Sequence, residues 1–120
     1  MPDKTNFALW VRDHAIVADT LDPLSPLDDL EPLREVIGDA RVVALAESAH
    51  VLGEFELLRH RLLRFLAERC GFTVYALEAP FIEAHAIDAW VQGGPGTVAE
   101  VAIGVALDIG RCSEMHDLLT

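Results

Sequence analysis

The chain has 120 residues, of which 52% are hydrophobic, and its formal net charge is −11 at pH 7. This length and composition predict one globular unit and exclude a disordered chain. The negative charge argues against nucleic acid and against anionic membrane surfaces as partners, because both attract basic proteins. The two cysteines, Cys70 and Cys112, are too few for a disulfide framework.

Targeting signals are missing from the sequence. Residues 1–6 lack the basic and apolar regions of a signal peptide. The longest apolar stretch, residues 98–109, contains Glu100 and Asp108 and is too short to span a bilayer. We therefore expect a cytoplasmic protein with no membrane partner.

The first 40 residues predict a helical lead-in. Apolar residues at helical spacing favour a helix over 6–21 and a second, shorter helix over 29–37. Pro23 and Pro26 lie between them and predict a loop, because two prolines so close together prevent regular pairing.

A strand–helix–strand unit is predicted over residues 41–79. β-branched apolar runs at 41–45 and 73–77 flank a helix expected over 53–69. This order favours neighbouring parallel strands joined by a right-handed crossover. The expected fold class is therefore α/β, with parallel β-strands and crossover helices.

The remainder, residues 80–120, is predicted to be helical. Helices are expected over 80–91, 97–108 and 113–120, with a Gln-Gly-Gly-Pro-Gly breaker after the first of them. Two parallel strands alone leave open edges and little to pack against. We therefore expect a partial piece of a larger domain, able to self-associate through its sheet edges.

Three polar residues follow the two predicted strands. Glu47 and His50 come directly after the first strand, and Glu78 follows the second. The carboxyl ends of parallel strands share one edge of a sheet, which is where open α/β sheets bind ligands. An imidazole and two carboxylates at that edge suit general acid–base chemistry.

Residues 38–79 and 86–88 resemble the N-terminal part of the erythromycin esterase family. The resemblance lies in Ala-Glu-Ser-Ala-His at 46–50, in an arginine on the following helix, and in Leu-Glu-Ala at 77–79. Ala46 and Val51 stand where the family usually has glycine.

The resemblance implies a carboxylic-ester hydrolase that opens a macrolide-type lactone. It places Glu47, His50, Arg59 and Glu78 at the family's catalytic positions. His50 would activate water, Glu47 or Glu78 would orient the His50 imidazole, and Arg59 would stabilise the developing negative charge. Backbone donors at the start of the helix near residue 53 would assist the oxyanion.

Three alternatives remain open at this point. Glu47, His50 and Glu78 also form a workable ligand set for zinc, so a metal-dependent hydrolase competes with the metal-free mechanism that we prefer. A catalytically silent fragment or small-molecule-binding module is the second alternative. In the third alternative, Arg59 is a solvated helix residue paired with Glu56. We also expect His60 and Arg61 to be exposed.

Overall fold

A computed structural model describes residues 4–46, 52–103 and 113–120 of the chain. Within these ranges the regular elements are helical. They are α1 (Lys4–His14), a 3-10 turn (Asp28–Leu30), α2 (Leu33–Ile37), α3 (Gly53–Glu68), α4 (Phe81–Val91), α5 (Val98–Ala102) and α6 (Ser113–Leu119).

The α/β fold class expected from the sequence is wrong for the described residues. Segments 41–46 and 72–80 are non-helical, as predicted, but neither forms a β-ladder with any described neighbour. β-branched residues favour a strand only when its backbone is paired and its side chains are covered. Here the side chains of Val42 and Val74 are 83% and 84% exposed, so that cover is missing.

Several helix positions agree with the sequence pattern. The helices predicted over 53–69, 80–91 and 113–120 correspond to α3, α4 and α6 within one residue at each end. The first helix is shorter than predicted, because α1 ends at His14 rather than at Leu21. α5 begins within one residue of the prediction and ends at Ala102, and residues 104–108 of the remaining predicted span lie outside the described ranges.

Local hydrogen bonds explain where α5 begins. The Thr97 side chain accepts a hydrogen bond from the Glu100 backbone N–H, and the Glu100 carboxylate accepts one from the Thr97 N–H at 2.8 Å. This reciprocal capping box satisfies two donors that the first helical turn would otherwise leave open. The hydrogen bonds that the Glu100 carboxylate accepts from the backbone N–H and the hydroxyl of Thr97 hold the pKa of Glu100 below its usual value.

The hydrophobic core lies on one side of α3. Leu27, Leu30 and Phe65 are buried there and form one cluster. The partly buried side chains around it come from the loop before the 3-10 turn, from α2, from α3 and from the turn after α3: Ala18, Leu33, Ile37, Leu62 and Cys70. The core therefore packs one side of α3 against residues 18–37.

Arg61 is fully buried beside this core, so the expectation that it is exposed is wrong. Its two terminal nitrogens donate to the Asp29 carboxylate at 2.8 and 2.7 Å and also to the carbonyls of Thr20 and Pro26. Arg61 precedes Phe65 by one helical turn and shares its face of α3, which explains the burial. The hydrogen bond from Arg61 lowers the pKa of Asp29.

Irregular backbone around the core is held by further arginines. Arg64 donates to the carbonyls of Pro23 and Ser25, and Arg34 donates to the carbonyl of Arg69 at 2.7 Å. Buried backbone groups need such partners when no helix or strand supplies them. Residues 20–26 are thereby fixed against α3 without regular structure of their own.

The chain is elongated, with principal extents of 54 × 29 × 25 Å. Its radius of gyration is 16.7 Å, whereas a compact domain of this length would have about 14 Å. Exposed apolar side chains such as Val42, Val74, Phe81 and Ile82 accompany this open shape. No helix among the described residues is both long and apolar enough to cross a bilayer.

Candidate functional site

Two of the four predicted site residues lie in the described part of the chain. Arg59 is in the second turn of α3, and Glu78 is exposed near the end of segment 72–80. Glu47 and His50 lie outside the described residues. The predicted meeting of Glu47, His50 and Glu78 at one edge therefore stays a prediction.

Arg59 is paired on its own helix and withdrawn from water. Its Nη1 donates to Glu56 Oε2 at 2.9 Å, and the two side chains are only 15% and 12% exposed. Pairing with Glu56 was the alternative interpretation from the sequence, and it is confirmed. The solvated position that went with it is wrong, because both partners are largely covered.

Tyr75 brings segment 72–80 to this ion pair. Partial burial is the main cause that raises the pKa of the Tyr75 phenol, and the Glu56 carboxylate adds to the increase. The Arg59 guanidinium opposes it through its charge and a hydrogen bond. The net result is a phenol that keeps its proton at neutral pH beside a buried cation.

A groove of about 180 Å³ opens next to Arg59. One wall is segment 44–46, and the other is the face of α3 that carries Phe55, Leu58, Arg59 and Leu62. Among the described lining residues, Arg59 is charged and the others are apolar. Ala46 immediately precedes Glu47 in the sequence, so the groove extends to the point where the predicted catalytic segment begins.

A carboxylate from α6 lies against the first residue of α3. A Cβ atom placed on Gly53 would be 3.1 Å from Glu114 Oε1. Negative charge is favourable at this end of a helix, where backbone N–H groups point outward. Glu114 is thus a polar neighbour that sequence reasoning missed, since no local pattern connects it with a helix sixty positions earlier.

His60 is partly buried, which corrects the expectation that it is exposed. Burial is the main cause that lowers its pKa, and the positive charge of Arg64 acts in the same direction. The negative charge of Asp117, on α6, opposes both. The imidazole is therefore held mainly in its neutral form at pH 7.

Metal binding is not decided by the described residues. Among them, no three His, Cys, Asp or Glu side chains come together in a group that could hold a metal ion. Two of the three predicted ligands, Glu47 and His50, lie outside the ranges searched. The metal-free preference and its zinc alternative both stay predictions.

Comparison with known proteins identifies the family. No protein-family profile matches the chain. Erythromycin esterase type II of Escherichia coli is 47% identical over 95 residues, which are 79% of this chain and 22% of that protein. Erythromycin esterase type I of Escherichia coli is 38% identical over 69 residues, covering 58% of this chain and 17% of its own length. The chain belongs to the erythromycin esterase family.

Two further relatives agree with this family assignment. The putative hydrolase YbfO of Bacillus subtilis (strain 168) is 31% identical over 77 residues, 64% of this chain and 17% of that protein. A Bacillus cereus protein of known crystal structure superimposes with a TM-score of 0.87 at 33% identity. That match covers 98% of this chain and 28% of the other. The chain thus spans about a fifth of the length of its curated relatives in the erythromycin esterase family.

Proposed function

We propose that this chain acts in the hydrolysis of a carboxylic ester, by opening a macrolide-type lactone with water. The observation that carries the proposal is its 47% identity with erythromycin esterase type II over 95 residues. Erythromycin esterase type II is several times longer than this chain, so the proposal concerns the contribution of these residues to the reaction.

The proposed mechanism uses the four predicted site residues. His50 removes a proton from the attacking water, and Glu47 or Glu78 orients the imidazole and stabilises its cationic form. Arg59 stabilises the negative charge that develops on the carbonyl oxygen. The position of Arg59 on a groove with apolar walls supports this role, because electrostatic attraction is stronger where water is excluded.

The size of the groove supports a partial fit for a macrolide. Clefts that hold drug-sized ligands have volumes of roughly 300–1,000 Å³, and the groove beside Arg59 has about 180 Å³. It would accommodate the reacting ester and its immediate neighbours, with the rest of the ring outside. The apolar lining of Phe55, Leu58 and Leu62 suits the hydrocarbon part of such a substrate.

Mass spectrometry of erythromycin incubated with the chain tests the proposal. A mass gain of one water with the wild type, but not with His50→Ala, would be expected for the proposed base. His14→Ala, which changes an exposed histidine on α1, is the matched control and should retain the reaction. No product from the wild type, under conditions where erythromycin esterase type II gives product, would contradict the proposal and favour the silent binding module.

A chelator separates the two mechanisms. Activity that persists in the chelator is expected for water activated by His50 alone. Activity that is lost in the chelator and restored by zinc would replace the metal-free mechanism with the metal-dependent one.

A further inference from the structure

Two residues outside the predicted catalytic set flank Arg59. We propose that one of them, Glu56, is a positioning residue, which holds the Arg59 guanidinium at the groove so that it faces the carbonyl oxygen of a bound ester. What Arg59 acts on rests on the proposed function, whereas the way it is held does not.

Glu56 restrains the Arg59 guanidinium. An arginine side chain has many rotamers, and a single exposed salt bridge restrains it poorly. The Arg59 Nη1 to Glu56 Oε2 contact of 2.9 Å is different, because both side chains are almost covered. Charge attraction is stronger in such surroundings than in water, so the pair fixes one end of the guanidinium.

Tyr75 reports on this cation from another part of the chain. It lies in segment 72–80, three residues before Glu78, and is 45% exposed. The charges of Arg59 and Glu56 both act on its phenol, so its pKa responds to the presence of the Arg59 guanidinium.

The groove shows what the Arg59 guanidinium could contact. The other described lining residues are apolar, so Arg59 would be the charged group that a bound ester meets on that wall. A planar guanidinium with fixed orientation suits a carbonyl or carboxylate oxygen better than a freely rotating one. Pre-organised groups of this kind contribute to catalysis only while they keep their geometry.

The test uses Tyr75 itself as the reporter. It is the single tyrosine of the chain, so the near-ultraviolet absorbance of tyrosinate titrates this residue alone. Arg59→Met should raise the pKa of Tyr75, because it removes a cation and a hydrogen bond that favour the phenolate. The helical circular dichroism signal must be retained through the titration.

A double-mutant cycle tests whether Glu56 acts through Arg59. If Glu56 positions Arg59, Glu56→Gln should change the Tyr75 pKa by a different amount in the wild type and in Arg59→Met. Glu54→Gln removes an exposed carboxylate from the same helical turn and should leave the Tyr75 pKa unchanged. Additive effects of the Glu56 and Arg59 changes would overturn the proposal.

Kinetics separate this inference from the proposed function. In a chain that hydrolyses esters, Glu56→Gln should lower kcat about tenfold with little change in KM, because a misplaced Arg59 guanidinium loses transition-state stabilisation. Coupling in the titration without any hydrolysis would support the positioning and count against the proposed function. An unchanged Tyr75 pKa in a folded Arg59→Met chain would overturn the positioning, whether or not esters are hydrolysed.

Discussion

Two arginines on α3, Arg59 and Arg61, show how the two sides of one helix are used. They are two residues apart, which places them on nearly opposite sides of α3. Arg61 is fully buried, and its guanidinium binds the Asp29 carboxylate and the carbonyls of Thr20 and Pro26. Arg59 is paired with Glu56 and lines an open groove.

The two arginines have the same side chain and differ in how completely other residues cover it. Arg61 is fully covered and has a structural role, whereas Arg59 lines a groove and is a candidate functional residue. The loop of residues 18–30 folds over Arg61 and leaves no space for a ligand there. Arg59 is paired with Glu56 and largely covered, but it also lines a groove whose other described wall residues are apolar. We therefore expect changes on the Arg61 side to affect stability, and changes on the Arg59 side to affect activity.

The largest effect is expected from breaking the buried ion pair. Asp29→Ala should lower the free energy of unfolding by about 3–5 kcal/mol, because it leaves the Arg61 guanidinium buried without its counter-charge. Urea unfolding measures the change. Asp13→Ala is the matched control, since its partner Arg12 is well exposed, and it should cost less than about 1 kcal/mol. Equal effects would contradict the contrast.

Removal of a core ring should have a comparable or slightly smaller effect. Phe65 is fully buried against Leu27 and Leu30, so Phe65→Ala should cost about 3 kcal/mol or more through lost burial and the resulting cavity. Phe81 is 80% exposed, and Phe81→Ala should change stability by about 0.5 kcal/mol or less. Chemical denaturation of both variants compares a closed region of the molecule with an open one.

Arg59→Met should affect activity more than stability. The change removes one covered ion pair, and we expect a loss of stability of about 1–2 kcal/mol, below that of Asp29→Ala. Its proposed effect on hydrolysis is larger, about a hundredfold in kcat, because it removes charge stabilisation in the transition state. Unfolding and turnover measured on the same preparation decide the point. A variant that loses stability and keeps its activity would remove Arg59 from the mechanism.

The smallest effect expected is a change in acid sensitivity. The pKa of Asp29 is lower in the folded chain than the value of about 3.9 in an unfolded chain. Its stabilisation is therefore complete above the unfolded pKa and is lost as the pH falls through the lower, folded pKa. Asp29→Asn should flatten the fall in unfolding free energy below about pH 4. An unchanged pH profile would show that this pair does not contribute to acid unfolding.

Much of the helical structure could be predicted from the sequence because its signals are local. The start of α3 at Gly53, the position of α4 after Pro80 and the cap of α5 at Thr97 all follow from residues within one turn. The strands could not be predicted in the same way. Val42 and Val74 favour an extended backbone, but a sheet also needs neighbours that pair with it, and the described residues offer none.

The candidate site was predictable in part for a related reason. Family resemblance selected Arg59, which lines a groove, and its catalytic role stays a prediction. Arg61 was missed although it precedes Phe65 by one turn, because a helical pattern does not reveal that a distant loop will cover a charge. Glu56 was expected as a partner of Arg59, because the two lie one turn apart on α3. Tyr75 was missed because its nearness to Arg59 depends on how segment 72–80 lies against α3. The roles of Glu47 and His50 stay predictions.

The arginine contacts to residues 20–26 also fix an order of events during synthesis. The carbonyls of Thr20, Pro23 and Pro26 take their hydrogen bonds from Arg61 and Arg64, which are made some forty residues later. On the ribosome, a chain that has reached only α2 has no donors for this loop. Ordering of the N-terminal third must therefore wait until α3 has left the exit tunnel.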